Sequence, residues 1–272
     1  MTVIPLMGGL GNQLFQIAFA HRLNKEGVQV AVSYSILRGV IFQRILGWTI
    51  HPNSNTEALC KALNIKLVKL RWFDYFTMFF TYIKKKSNIK SVFDSRYKEV
   101  VLASRSHLFR LIVPGYFQST EHLEFDDISL IAKKFYQLNC NISSKQQERI
   151  AHVRRGDFSK GTLMKKSYYI NILKQSEIEK ISFVGDDSEY ILKNYGGVVN
   201  NPSHLDSKSD IFEDFCQIAN AKVIVASNST FSYMACCASD ATEIHFPESI
   251  GVNLKTPFPM DDRFVLHKVE FE

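Results

Sequence analysis

Nothing in the sequence is apolar for long enough to cross a bilayer. Its longest apolar stretch, residues 72–83 (WFDYFTMFFTYI), is broken by Asp74 and closed by Lys84-Lys85-Lys86, well short of the roughly 20 residues a spanning helix requires. The stretch reads as a buried helix with a charged end, or as an interfacial patch whose aromatics enter lipid while the lysines meet anionic headgroups. Cysteine is scarce and unpatterned: Cys60, Cys140, Cys216, Cys236 and Cys237 are odd in number and form no CxxC pair. That spacing excludes a disulfide scaffold or a zinc ribbon and leads to an expectation of reduced thiols in a reducing compartment. The opening Met-Thr-Val-Ile-Pro has no basic segment ahead of its apolar residues, so no secretory signal is expected. Together these absences predict a cytoplasmic protein, with 72–86 as the segment for peripheral contact at the inner face of the plasma membrane. One-sided charge is lacking too. A formal net charge of +6 over 272 residues suits acidic small ligands or an anionic surface, and falls short of the basic stripe of a nucleic-acid binder.

What is present is an alternation of strand and helix patterns. Residues 2–7 read as a strand, Gly8-Gly9-Leu10-Gly11-Asn12 as a tight loop, and 13–25 as a helix with Leu14, Ile17, Ala18 and His21 at helical spacing. Gly27 stops that helix and 28–34 alternate as a second strand. Residues 35–110 show no regular pattern. A short apolar run at 111–113 then enters the loop Pro114-Gly115-Tyr116-Phe117-Gln118-Ser119, and 126–139 reads as a helix. After a polar join at 141–147 the alternation resumes with strands at 150–153, 181–184 and 223–226 and helices at 166–175, 210–219 and onward from Thr230. Strands alternating with helices predict parallel sheets, and the join divides the chain into two α/β units, 1–143 and 144–272.

Three segments can carry chemistry. In His152-Val153-Arg154-Arg155-Gly156-Asp157 two guanidiniums follow a strand and precede a carboxylate. Arginine's planar fork of donors matches an oxyanion, and open α/β sheets bind ligands beyond the carboxyl ends of their strands. The competing reading is a solvated basic turn. The loop Gly8 to Asn12 lets a ligand or a neighbouring backbone approach closely, or is a structural turn. It is not a dinucleotide fingerprint: Leu14 stands where the third glycine belongs and the second strand ends in Tyr34-Ser35 without an acid. The segment Ser227-Asn228-Ser229-Thr230-Phe231-Ser232 places hydroxyls where a strand gives way to a helix, which suits a helix cap or a diphosphate equally. Asn228-Ser229-Thr230 is formally a glycosylation sequon, and the reducing-compartment reading argues against its use. Asp186 and Asp187, ending the strand at 181–184, could meet a metal, a ribose or a guanine, or cap a helix. Asp214 sits on a predicted helix face.

Taken together, GGLGNQLFQIA (8–18), GYFQS (115–119), HVRRGDF (152–158) and the block from Asp214 through SNSTFS (227–232) resemble the α-1,2-fucosyltransferases of glycosyltransferase family 11. The resemblance implies an α/β fold of two Rossmann-like domains facing across a cleft, of the glycosyltransferase-B type. The first, 1–143, would be mainly the acceptor side and the second, 144–272, would bind GDP-fucose. It also implies inverting, metal-independent transfer of L-fucose to the 2-hydroxyl of a galactoside, with GDP-fucose as donor substrate and no cofactor. The acceptor would be a galactose-containing glycan, such as a lipid-linked surface-glycan or O-antigen precursor. Under this resemblance Arg154 grips the β-phosphate, with His152 and Arg155 positioning the nucleotide or the motif itself. Ser229, Thr230 and Phe231 complete the phosphate site, Asp186, Asp187 or Asp214 reads guanosine, and Asn12 faces the donor. Asp157 is the candidate general base. Its alternatives are a strut for the arginine pair, or a base-free path in which the leaving phosphate takes the proton. The chain departs from the family at Tyr233-Met234-Ala235-Cys236-Cys237, where members commonly carry a tryptophan pair. Two other readings remain: a glycosyltransferase with a different donor or linkage, and a non-catalytic nucleotide-sugar-binding protein.

Overall fold

Strand β1 (Thr2–Pro5) and strand β2 (Val30–Ser33) are buried at every position, as in a sheet covered on both faces, so the alternation read over 28–34 does not mark a solvent-facing side. The computed structural model describes residues 1–35, 55–75, 111–140, 146–156, 161–175, 181–195 and 211–272, in two compact units, Met1–Ile131 and Ala132–Glu272. In the first unit β1 leads through a glycine loop into helix α1 (Leu10–Lys25), followed by β2, α2 (Thr56–Ala62), β3 (Lys66–Leu67) and β4 (Leu111–Ile112). The sheet runs β3-β2-β1-β4 with every pair parallel. Strand order therefore reverses between β1 and β4, the switch point of a doubly wound sheet. Helix α1 is buried nearly all round, including Gln13 and Gln16, so the single helical face read from Leu14, Ile17, Ala18 and His21 understates its burial.

Helix α3 (Phe125–Asn139) contains the division between the units, ahead of the polar join expected to mark it. Its later residues belong with the second unit because Phe135 stacks edge-on against Phe215, 5.1 Å between centroids, and Lys133 pairs with Asp240. That unit continues with β5 (Gln147–Val153), α4 (Ser167–Gln175), β6 (Ser182–Gly185), α5 (Ser188–Tyr195), α6 (Ile211–Ala219), β7 (Ala221–Val225), α7 (Thr230–Ala238) and β8 (Glu243–Pro247). The short strands β9 (Ser249–Gly251) and β10 (Leu254–Lys255) form an antiparallel pair, and β11 (Phe264–His267) follows. The main sheet, β11-β8-β7-β5-β6, is parallel throughout. Taken in chain order this is a 2-1-3-4-5 doubly wound sheet, with its switch point between β5 and β7. Both units are thus Rossmann-like.

The thiol expectation is overturned. Cys140, just past α3, is disulfide-bonded to Cys216 on α6, across a sequence separation of 76. Sequence spacing gave no hint of this pair because only the packing of α3 on α6 brings the two together. Cys60, Cys236 and Cys237 are free and buried. The compositional argument for a reducing compartment falls with that pair. Among the described residues no helix is long and apolar enough to cross a membrane. At 72–75 a helical turn leaves Trp72 and Phe73 exposed, while Asp74 is buried and accepts the Arg71 N–H at 2.8 Å; residues 76–86 lie outside the described residues. The departure at 233–237 is absorbed by packing. Tyr233, Met234, Cys236 and Cys237 are buried, and the Tyr233 hydroxyl donates to the Pro259 carbonyl while its ring meets Phe258 at 4.6 Å.

Candidate functional site

The carboxyl ends of β5 and β7 are neighbours in the sheet, Ala151 lying opposite Val225, and the residues just beyond them meet. His152 Nδ1 and Ser227 Oγ are 3.0 Å apart. Ser227 Oγ donates to Ser229 Oγ at 2.9 Å, which links the buried imidazole to the turn that opens the next helix. Ser229 caps α7, its hydroxyl accepting the Ser232 N–H at 3.1 Å, and Ser232 Oγ in turn accepts the Ser227 N–H at 3.1 Å. The serines therefore satisfy one another, and the hydroxyl cluster fixes the strand-to-helix turn that aims the α7 dipole. Thr230 opens α7 and Phe231 packs 5.5 Å from His152 and 5.8 Å from Phe215. Asn228 is 5% exposed and its Nδ2 donates to the Thr162 and Ile250 carbonyls at 2.8 and 3.0 Å. Burial, rather than compartment, makes the sequon unusable in the folded chain.

The two arginines part ways. Arg154 Nη1 lies 2.6 Å from Asp186 Oδ2, while Arg155 makes a bidentate pair with Glu272 at 2.6 and 3.0 Å and sits 4.0 Å over the Tyr190 ring. Asp186 also accepts the backbone N–H groups of Arg155 at 2.7 Å and Gly156 at 3.0 Å. These bonds shape the arginine turn. Asp187 Oδ1 accepts the Tyr190 N–H at 2.9 Å and caps α5. Arg155, through Glu272 and Tyr190, helps hold the motif in place. The close approach of β6 to β5 depends on Gly185, where a Cβ would collide with the Val153 carbonyl. Asp214 lies half-buried in the first turn of α6. Asp157 lies outside the described residues.

His152 is 3% exposed. Burial, with the Arg154 charge second, pushes its pKa down to about 3, which keeps the imidazole uncharged at neutral pH. The sign follows from linkage: as pH falls from the free-histidine value toward 3, the unfolded chain gains a proton that the native state refuses, and stability drops. His152→Gln is expected to flatten that loss, read as urea midpoints between pH 7 and pH 4. An unchanged slope would count against the buried neutral imidazole.

In the first unit the motif residues gather around the β1/β4 switch point. Gln16 accepts the Met7 N–H at 3.0 Å and donates to the Gly115 carbonyl at 2.9 Å, tying the loop after β1 to the loop after β4. Gln13 donates to the Gly8 carbonyl at 3.0 Å. Gly8 has φ +78°, and a Cβ there would come 2.5 Å from Asn12 Nδ2. Asn12 Oδ1 accepts from Gln118 Nε2 at 2.8 Å. Phe117 is held at φ +54°, a left-handed conformation costly for an aromatic residue, and stacks on Phe19 at 4.2 Å.

No family model matches the chain, and no curated protein matches it in sequence. Solved structures similar to it include Escherichia coli heptosyltransferase WaaC with ADP, at 9% identity over 98% of this chain and 92% of that one, TM-score 0.41. E. coli ADP-heptose LPS heptosyltransferase II is 10% identical over 98% and 89%, TM-score 0.46. POFUT1 in complex with GDP is 10% identical over 90% and 97%, TM-score 0.37. Likenesses this distant leave the chemistry to the residues themselves.

Among the described residues no group of three or more His, Cys, Asp or Glu side chains is placed to hold a metal ion. What the second unit offers is a helix N-terminus tied to a neutral buried histidine at the β5/β7 switch point, with the Arg154–Asp186 pair alongside at the ends of β5 and β6, groups suited to an anion. Several contributors were missed from sequence: Gln13, Gln16, Tyr190 and Glu272. Two more are Tyr168, whose hydroxyl donates to the Ala226 carbonyl at 3.0 Å, and Tyr169, which donates to the His152 carbonyl at 2.9 Å. Ser227, the first hydroxyl after β7, lies in the segment that the sequence singles out. Glu272 was out of reach, because its partner stands 117 residues away.

Proposed function

We propose that the protein is a glycosyltransferase that uses a nucleoside-diphosphate sugar, and more narrowly that it moves L-fucose from GDP-fucose to the 2-hydroxyl of a galactoside. The observation that carries the first part is the hydrogen-bonded run from His152 through Ser227 to the α7 N-cap Ser229, with the arginine turn following two residues after His152 at the end of β5. The narrower part rests on the ordered motifs at 8–18, 115–119, 152–158 and 227–232. Breaking the sugar–phosphate bond leaves negative charge on the diphosphate, and a preset cation with oriented N–H groups stabilises that charge without reorganising. The reading assigns this task to Arg154, with Ser229, Thr230 and Phe231 forming the turn around it and Asn12 lining the first unit's loop. The acceptor proton goes to Asp157 or to the leaving phosphate in this reading. A surface-glycan precursor is the proposed acceptor, and exposed Trp72 and Phe73 support a role for that edge in meeting a lipid-linked one.

The test is incubation with GDP-fucose and β-galactosides differing in the penultimate sugar, with the product linkage read by NMR. An α-1,2-fucosylated product is the expected result. Turnover with another nucleotide sugar alone would overturn the donor, and GDP binding without turnover of any donor would overturn the enzyme reading.

A further inference from the structure

Two adjacent guanidiniums repel each other, and here each is held by its own carboxylate, Arg154 by Asp186 and Arg155 by Glu272. Glu272 supplies both the counter-charge and the anchor. Its carboxylate takes Arg155 in a two-point grip, and its backbone pairs with the segment just downstream of the arginine turn. The Gly161 N–H donates to the Glu272 carbonyl at 2.9 Å and the Glu272 N–H to the Leu163 carbonyl at 2.8 Å. The pairing extends through an antiparallel bridge between Met164 and Phe271, a Lys165 N–H to Glu270 carbonyl bond at 2.9 Å and a Lys165 to Glu270 ion pair at 3.0 Å. One residue thus grips the motif on its upstream side through a side chain and on its downstream side through its backbone. Of the two arginines, Arg154 is the one whose charge is felt by buried His152.

We infer that Glu272 is a positioning residue for the arginine turn at the end of β5: by holding Arg155 against Tyr190 through its side chain and pairing its backbone with 161–163, it fixes the turn that carries Arg154, itself paired with Asp186. This rests on the nucleotide-sugar reading for its ligand, although the clamp itself does not. A bidentate carboxylate–guanidinium pair is geometrically specific, and this one is only partly covered, with side chains 16% and 37% exposed. Its effect on ligand affinity should therefore be moderate.

The experiment uses the full chain and the variants Glu272→Gln, Arg155→Gln and the double variant. Glu272→Gln keeps the backbone pairing and removes only the charge. It should weaken GDP binding by calorimetry roughly fivefold and raise the donor KM more than it lowers kcat. It should also speed amide hydrogen exchange at 154–156 in the ligand-free protein, with the melting temperature nearly unchanged. If Glu272 acts through Arg155, adding Glu272→Gln to Arg155→Gln should change neither affinity nor exchange further. Additive effects, or exchange at 154–156 that Glu272→Gln leaves unaltered, would overturn the proposal. Should the unmodified protein bind no GDP, the nucleotide reading fails, and the exchange measurement still decides on the clamp.

Discussion

Replacing Arg154 with alanine should lower transfer by about 10²–10³-fold, the usual loss when one preset charge facing a developing anion is removed. The fold should survive. Asp186 would still accept the Arg155 and Gly156 N–H groups, so the turn keeps two of its tethers while the charge disappears. Arg154→Lys should recover only part of the loss, because an ammonium is a point charge and cannot meet both a carboxylate and a phosphate with one planar fork. Initial rates, with GDP affinity measured on the same preparations, would check both variants. Transfer near the original level in Arg154→Ala, in a protein of unaltered melting temperature, would sink the assignment. Loss of the fold in that variant alone would instead assign the guanidinium to scaffolding.

The second large effect concerns stability. Closing a loop across a sequence separation of 76 restricts the unfolded chain, and such a crosslink contributes roughly 4 kcal/mol in the chain-entropy account. Replacing Cys140 and Cys216 together with serine should lower the denaturant midpoint of the second unit by a corresponding amount, and reductant should do the same to the unmodified protein. The double replacement is preferable to a single one because it leaves no unpaired thiol. Denaturation curves that coincide with and without reductant would rule out the crosslink. Phe215 neighbours Cys216 on α6 and touches Phe231, so GDP affinity should fall along with stability once the crosslink is removed.

How much of this was legible beforehand depends on the reach of each interaction. The βαβ opening, the later alternation of strands and helices, and the helices at α3, α4, α6 and α7 follow from local periodicity and were readable to within a few residues. Helix α5 was missed because its cap, Asp187, belongs to an acidic pair that also suits a ligand. Strands β8 and β11, and the α2–β3 pair, are short and lean on the sheet rather than on their own pattern. The site divides in the same way. His152, Ser229 and Phe231 stand out through motif spacing and are brought together, while Arg154 pairs with Asp186. The fates of Arg155 and Asp186 could not be read, because a carboxylate 117 residues off and two backbone amides decide them. The cysteines show the same limit: an odd count says nothing about two residues brought together only by helix packing.

The paired tyrosines of α4 have one more consequence. Tyr168 and Tyr169 fasten the strand ends from inside the core, through the carbonyls of Ala226 and His152, and owe nothing to the surface loops for their placement. Recognition of a base or a sugar can therefore drift in the loops without disturbing the grip on phosphate. A lineage built on this unit could exchange one activated sugar for another by small steps, each intermediate still holding its diphosphate.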